Sequence, residues 1–302
     1  MTPRRVVVLG PTASGKSDVA MASAIASGKV HIVACDSMQV YRRMDIGTAK
    51  PTAVDRSAVV HHGLDLCEPS ERFTVSLYAD HVAAARDRIA AAGASELVVG
   101  GTGLHLSAIT DGLTLPGEWP AIRSELESDP DTAGLFARLS ALDPVAVTRM
   151  EPTNRRRIIR ALEVCLGSGE RFSSFGEGMT TYAPDDVVRI GIRWERAALR
   201  GRIASRVRAM VDRGLVDEVR GLLAEPSGLS ATAAQALGYK EMIDHVQGGK
   251  SLEDAVQEII VRTQQFAVRQ ERWFRRDPRI QWVDVSADPV GEVTPFVLAA
   301  LS

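Results

Sequence analysis

The sequence predicts an α/β protein: a parallel sheet core flanked by helices and interrupted by a helical insertion. Three observations predict it. Short apolar runs alternate with Ala-rich stretches of helical spacing, the pattern of parallel strands joined by crossover helices. The run Gly10-Pro11-Thr12-Ala13-Ser14-Gly15-Lys16-Ser17 fits G-x-x-x-x-G-K-[ST] and joins the first apolar run to the first Ala-rich one. That is the strand–loop–helix setting of a P-loop, so the core is expected to be P-loop NTPase-like. From about residue 116 to 186 the alternation gives way to helical spacing. The core is therefore read as 1–115 and 187–302, with 116–186 as the insertion.

Val6–Leu9 reads as the first strand and Asp18–Ala26 as its helix. His31–Cys35 is a second strand ending at Asp36, and Phe73–Ala92 is a helix that Gly93 stops. Glu96–Val99 is a third strand, followed by Gly100-Gly101-Thr102-Gly103. Residues at the carboxyl ends of parallel strands share one rim, where ligands bind; the P-loop, Asp36 and Thr102 all stand there. Leu115-Pro116-Gly117-Glu118-Trp119-Pro120 is a punctuated linker. Residues 121–169 read as helices broken at Asp129-Pro130 and Asp143-Pro144, and Phe172–Pro184 as a loop. Val187–Arg193 alternates like a strand. Leu199, Ile203, Val207 and Met210 mark a helix face that Gly214 is expected to cap. A long final helix is expected from Leu252 to about Arg275, then a last strand over Gln281–Val285.

The 302 residues, 45% hydrophobic and 25% charged, suffice for a sizeable core. A net charge of −2 excludes polyanion binding by bulk field, so any nucleic-acid contact must come from local basic stripes. Cys35, Cys67 and Cys165 match no zinc spacing and form no disulfide framework, which points to a reducing cytoplasm. No apolar run is long enough for a signal-peptide core or a membrane span. Nothing predicts a coiled coil or a large exposed apolar face, so a monomer is expected.

In a P-loop the glycines let successive N–H groups turn inward around phosphate oxygens. The helix N-terminus adds a positive dipole end. Lys16 supplies a mobile cation, and the Ser17 hydroxyl can ligate Mg²⁺. The chain is thus expected to bind a di- or triphosphate with Mg²⁺. Asp36 has two readings: a carboxylate holding Mg²⁺, or a general base beside the phosphate. The small residues Gly100–Gly103 would let a substrate approach the backbone closely, and Thr102 offers a hydroxyl. Asp45-Ile46-Gly47-Thr48-Ala49-Lys50 reads as an irregular loop. Arginines cluster twice. Arg155, Arg156, Arg157 and Arg160 open one helix, and Arg262, Arg269 and Arg276 share one face of another, with Phe266, Arg272, Trp273 and Phe274 near them. Such a mixture suits phosphate contact with base stacking; it equally suits a solvated face whose aromatics turn to the core.

Taken together, these residues resemble the tRNA dimethylallyltransferase (tRNA isopentenyltransferase) family in its bacterial form. The resemblance rests on Gly10–Ser17, Asp36-Ser37-x-Gln39-x-Tyr41, Asp45–Lys50, Val99–Gly103 and Arg160-Ala161-Leu162-Glu163-Val164. It continues through Gly214–Val219, Gly238-Tyr239-Lys240-Glu241, Gln265-Phe266-Ala267, Arg269-Gln270 and Trp273-Phe274-Arg275, spanning nearly the whole chain in order and spacing. It implies transfer of a dimethylallyl group from dimethylallyl diphosphate to N6 of the adenine 3′ of the tRNA anticodon. Asp36 is then the base, Lys16 and Thr102 act at the reacting centre, and the diphosphate occupies the P-loop in place of ATP. The resemblance also implies tRNA contacts by Asp36, Ser37, Met38, Gln39 and Thr102. Further contacts would come from Arg123, Arg156, Arg157, Ile158, Ile159 and Arg160, and from Gln235, Ala236, Leu237, Gly238, Tyr239 and Lys240. The target adenine is expected to be flipped from its stack.

His105, Gln264, Val268 and Arg272 depart from the family's usual residues. Three other functions share some of these features. An adenylate isopentenyltransferase would need no arginine platform at 155–160. A small-molecule kinase leaves Gly100–Gly103 and the Asp-Ser-x-Gln run unexplained. A non-catalytic RNA-binding protein would not need Lys16, Ser17 and Asp36 intact.

Overall fold

The computed structural model of the chain describes residues 4–179 and 182–302. In chain order the elements begin with β1 (Arg5–Leu9), α1 (Lys16–Ser27), β2 (Val30–Cys35), α2 (Ala53–Ala58), β3 (His61–His62), α3 (Val75–Ala91), β4 (Ser95–Gly100) and α4 (Gly103–Thr110). There follow α5 (Pro120–Ser128), α6 (Thr132–Leu142), α7 (Pro144–Val147), α8 (Arg155–Ser168) and a 3₁₀ segment, Phe172–Met179. The chain then forms β5 (Val188–Trp194), α9 (Arg196–Asp212), α10 (Leu215–Ala224), α11 (Ala231–Ala234), α12 (Tyr239–Val246), α13 (Leu252–Phe274), β6 (Ile280–Val285) and α14 (Pro289–Leu301). Of the expected loop over 172–184, the first part is the 3₁₀ segment, and residues 180 and 181 lie outside the described residues.

The chain divides into two compact units, Met1–Ile109 with Pro184–Ser302, and Thr110–Ala183. These boundaries fall a few residues before the punctuated linker and the fourth expected strand. The helix α4 runs to Thr110, so the boundary falls at its last turn. Asp185 belongs with the larger unit because its carboxylate holds Arg189 at 2.6 Å and Arg279 at 3.1 Å.

In the larger unit a six-stranded, wholly parallel sheet has the order β3-β2-β4-β1-β5-β6. Its central strands read as unbroken apolar runs because both faces are covered: Val6, Val7, Val8, Leu97 and Val98 are at most 1% exposed. The carboxyl ends of β1 and β4 lie side by side, since Leu9 is in register with Gly100. That register sets the P-loop beside the Gly100–Gly103 turn.

Three features differ from expectation. The pair β3 is too short to carry a period of two. Gly214, with φ +99°, caps the start of α10, and α9 closes on Arg213; its left-handed backbone reverses the chain between two helices. The helix from Leu252 is not the last. α14 follows β6, begun by the Asp288 cap and Pro289 in its first turn, with Pro295 inside it.

The smaller unit has its own core, built from Leu126, Leu135, Leu139, Ile158, Ile159 and Leu162. The Asp143-Pro144 break is fixed by the buried Asp143 carboxylate, which caps α7 at Ala146 N and accepts from Ser173 N and Oγ. Asn154 caps α8 through Arg157 N.

Two histidines make stability pH-dependent. Burial lowers His105 to about 4, and burial with the neighbouring His31, 3.1 Å from its ring, does the same to His62. The folded state then takes up these protons only near pH 4, whereas the unfolded chain takes them up near 6.5. The contribution of these two histidines is therefore complete above pH 6.5 and is lost as pH falls toward 4. Urea titrations across that window should show the loss, and His105→Gln should remove a share of the order of 2 kcal/mol. An unchanged slope in that variant would show that His105 is protonated in the folded state.

Candidate functional site

The P-loop is held open by partners outside it. Gly10 and Gly15 have φ of +150° and +93°, and Ala13 adopts φ +62° without being glycine, a left-handed conformation that costs about 1–2 kcal/mol. The surroundings impose it. Arg202 Nε donates to Ala13 O at 2.9 Å, and Trp194 Nε1 to Ser14 O at 3.0 Å. The Arg202 guanidinium lies 4.4 Å from the Trp194 ring centre. Gln270 completes the frame: its Oε1 accepts from Thr12 N at 2.8 Å and its Nε2 donates to Gly101 O at 2.9 Å. One buried amide on α13 thus ties the turn after β1 to the turn after β4.

The sequence reading assigns the small residues of Gly100–Gly103 to substrate approach. The structure corrects this, because the protein itself fills the space. A Cβ on Gly100 would lie 2.0 Å from Cys35 O, one on Gly101 2.3 Å from Gln270 Nε2, and one on Gly103 2.2 Å from Trp273 Nε1. These glycines let β2 and α13 close on the turn.

Asp36 ends β2 in a tight turn: its Oδ1 accepts from Met38 N at 2.8 Å and more weakly from Gln39 N at 3.4 Å. Ser37 N reaches Thr102 Oγ1 at 3.4 Å, so the two expected reaction-centre residues face one space. That space is a pocket of about 590 Å³. Thr12, Ala13, Asp36 and Thr102 form one end, Gln235–Glu241 and Gly47–Thr48 line its walls, and Arg262, Phe266 and Arg269 reach it from α13.

Arg206 also lines this pocket. Sequence reasoning missed it. Among the described residues its guanidinium has no hydrogen bond or ion pair, and burial lowers its pKa. It sits close enough to Lys16 to help lower that amine to about 7, after burial and against the attraction of Asp36. Lys16 itself donates to Pro11 O at 2.7 Å. Two enclosed cations without an acid ion-paired to either form an anion site. The signal in sequence is the i, i+4 pair Arg202 and Arg206 on the apolar-faced helix, which puts both on the side of the P-loop. Ser17 is exposed in the first turn of α1.

Other expected contact residues are placed differently. Ile158 and Ile159 are 0% and 3% exposed in the core of the smaller unit, so their side chains cannot meet an RNA; they are the inward face of a helix whose exposed face carries Arg156 and Arg157. Arg160 is ion-paired to Glu163 at 3.0 Å and donates to Pro116 O. Arg123 is paired to Glu127 and Glu163. Arg155 donates to the carbonyls of Leu126, Glu127 and Asp129. In the larger unit Gln39 spends its amide nitrogen on Thr48 O and Ala49 O. Tyr239 is 1% exposed, its hydroxyl on Glu218. Arg262 is neutralised by Glu241 and Glu258, while Arg269 lies 5.7 Å over Phe266 and stays exposed. Of the departures, His105 is 8% exposed beside Tyr78, and Val268 and Arg272 are on the solvent side of α13.

Comparison with known proteins gives a consistent result. A family model described as IPP transferase matches residues 39–277. The chain is 43% identical over 286 residues to the tRNA dimethylallyltransferase of Geobacter metallireducens, covering 93% of this chain and 92% of that protein. It is 43% identical over 287 residues to that of Pseudarthrobacter chlorophenolicus, covering 94% of each. Among solved structures, the full-length tRNA isopentenylpyrophosphate transferase of Bacillus halodurans is similar with a TM-score of 0.70 at 35% identity, over 99% of this chain and 96% of that one.

The depressed Lys16 amine has a thermodynamic signature. At pH 8 it is mostly neutral in the free protein, and an anion seated against it favours the ammonium. Binding of inorganic diphosphate at pH 8 should therefore take up about one proton at this group, read by calorimetry in buffers of different ionisation enthalpy. Lys16→Arg should abolish the uptake; if the uptake survives that change, the proton goes elsewhere.

Proposed function

The chain belongs to the IPP transferase family, and we propose from that premise that it moves a dimethylallyl group from dimethylallyl diphosphate to N6 of the adenine 3′-adjacent to a tRNA anticodon. It is a prenyl-transferring, tRNA-modifying enzyme. The observation that carries the finer reading is one pocket lined by Thr12, Asp36, Thr102, Arg206, Phe266 and Arg269, whose Arg206 and Asp36 both act electrostatically on the P-loop Lys16.

In the reaction the bond between the allylic carbon and the diphosphate oxygen breaks, and diphosphate leaves with the electron pair. The N6–carbon bond forms, and the nitrogen gives up a proton. Leaving-group charge is met by the P-loop N–H groups, Lys16 and Arg206, all fixed before the reaction begins, which is how electrostatic stabilisation acts without reorganisation. The N6 proton goes to the Asp36 carboxylate, whose turn is held by Met38 N. Thr102, linked to that turn through Ser37 N, orients the amine. The donor set at the loop, a hydroxyl at a helix N-terminus beside phosphate-binding backbone, fits Mg²⁺, a hard ion that takes most of its ligands from phosphate oxygens and water. Ser17 would hold it, and when bound it supplies further neutralisation of the departing diphosphate.

Tyr239 and Ile158–Ile159 serve as framework, while Arg156 and Arg157 on α8 and Lys240 and Arg269 of the larger unit are exposed cations available to RNA phosphates. Each phosphate contact removed should lower the salt slope of binding by about one. We expect the Arg156→Ala, Arg157→Ala pair to flatten that slope by about two in filter-binding titrations, and Arg160→Ala to leave it unchanged.

The direct test uses labelled dimethylallyl diphosphate, Mg²⁺ and either an anticodon stem-loop RNA or free AMP. Label in the RNA at the adenine beside the anticodon supports the reading. Label only in AMP moves the function to cytokinin-type synthesis, and label in neither removes prenyl transfer. Asp36→Ala should cut the single-turnover rate roughly 10²–10⁴-fold while RNA binding survives, and an undiminished rate would take the base role away from it. Arg206→Ala should weaken binding of the diphosphate donor, leaving RNA binding intact.

A further inference from the structure

We propose that Glu218 is a positioning residue that fixes the spacing between two walls of the pocket, and so controls how the RNA base is received; this rests on the function proposed above. Its carboxylate stands in the first turn of α10, where the helix dipole favours negative charge. Both oxygens are saturated by one cluster of donors. Oε2 accepts from Asp45 N at 2.9 Å and Ile46 N at 2.7 Å. Oε1 accepts from Gly47 N at 3.1 Å and from the Tyr239 hydroxyl at 2.6 Å. Charge-assisted bonds of this kind are about twice as strong as neutral ones.

The donors belong to two segments far apart in sequence that both line the pocket. Gly47 and Thr48 come from one, and Tyr239, within the Gln235–Glu241 segment, from the other; Glu218 is not itself a lining residue. The 45–47 loop is neither helix nor strand, so these three N–H groups have no ladder to join. The walls also touch directly, since a Cβ on Gly47 would lie 2.5 Å from the Tyr239 ring. Glycine is required there so that the phenol can close on the backbone and still reach the carboxylate.

The clamp extends toward the reacting centre. Gln39 Nε2 donates to Thr48 O at 3.1 Å and Ala49 O at 3.3 Å. Gln39 lies in the turn whose N–H groups cap Asp36. The covalent and hydrogen-bonded path thus runs from Glu218 through residues 45–49 to the Asp36 turn. Lys50 anchors the far end of the loop, with Nζ 2.6 Å from Tyr41 O and 2.8 Å from Asp65 Oδ1. At the Asp45–Gly47 end Glu218 holds the backbone N–H groups, while Lys50 Nζ also pairs with the Asp45 carboxylate at 2.6 Å. The phosphate loop is not on this path, being held by Gln270, Trp194 and Arg202. Loosening Glu218 therefore acts on the RNA substrate and spares the donor.

The test uses the full chain with Glu218→Gln and Tyr239→Phe. An amide in place of the carboxylate turns one acceptor into a donor facing donors, whereas Tyr239→Phe removes a single bond. Hydrogen exchange at the Asp45, Ile46 and Gly47 amides should be slow in the native protein and fast in Glu218→Gln. With an anticodon stem-loop, kcat/KM should fall about 10–100-fold, the scale of a small misplacement in a reactive complex, while KM for dimethylallyl diphosphate stays within about twofold. Tyr239→Phe should give a smaller loss, and the double variant should be no worse than Glu218→Gln, because the two changes break one shared interaction. Fast native exchange at 45–47, unchanged RNA kinetics, or a parallel rise of both KM values with a collapse of Tm would each overturn the proposal. Should Glu218→Gln not fold, Tyr239→Phe decides it. If the native protein transfers nothing to RNA, the function falls, and exchange at 45–47 still decides whether Glu218 fixes the loop.

Discussion

The pocket depends on how closely α13 approaches the turns that follow β1 and β4. Protein interiors are packed to the density of molecular crystals, and here the approach leaves no room for a single methyl group: Gly101 meets the Gln270 amide, and Gly103 the Trp273 indole, at distances a Cβ could not tolerate. Because the helix sits so near, Gln270 can bond Thr12 N and Gly101 O at once. The loop that receives phosphate and the helix that carries Phe266 and Arg269 are thereby parts of one framework.

Charge placement follows the same economy. Several arginines of the larger unit are neutralised where they stand: Arg189 by Asp185, Arg5 and Arg86 by Glu96, Arg193 by Asp284, Arg262 by Glu241 and Glu258. Lys16 and Arg206 are the contrast, since both are enclosed and among the described residues neither has an acid ion-paired to it. Enclosing such cations is unfavourable in the empty protein, and the lowered Lys16 amine records it. In the proposed function, the diphosphate of the donor would relieve that repulsion on arrival.

The sequence made the P-loop, Asp36 and Thr102 legible because each is a local signal at a strand end, and the parallel sheet then places strand ends together without further information. It misassigned features whose meaning lies in what arrives from far along the chain. Gly100–Gly103 looks like a berth for substrate until α13, some 170 residues later, is seen to occupy it. Arg206 is one arginine among several on α9, and only the docking of that helix beside the P-loop distinguishes it from exposed Arg208. The resemblance implied RNA contacts by Ile158 and Ile159, whereas helical spacing turns their side chains inward. The helix α14 and the two-residue β3 carry too little periodicity to read. Glu218 was visible only as a member of a motif, since its four partners are more than twenty residues away or are backbone N–H groups, to which sequence is blind.

The proposed reaction also explains why cations and carboxylate need separate stations. An allylic carbon departing from diphosphate becomes electron-poor, so positive side chains must meet the leaving oxygens and be kept from the carbon. The amine, in contrast, becomes acidic only once its bond to carbon is forming, and a carboxylate placed at the nitrogen suffices to take the proton. A site that mixed the two would quench itself, with Lys16 ion-paired to Asp36. Here Lys16 turns back to Pro11 O and Asp36 is occupied by its own turn, so the attraction between them is felt across the pocket without collapsing into a bond. Backbone groups, by holding each side chain a short way from its natural partner, keep both available for substrates of opposite demand.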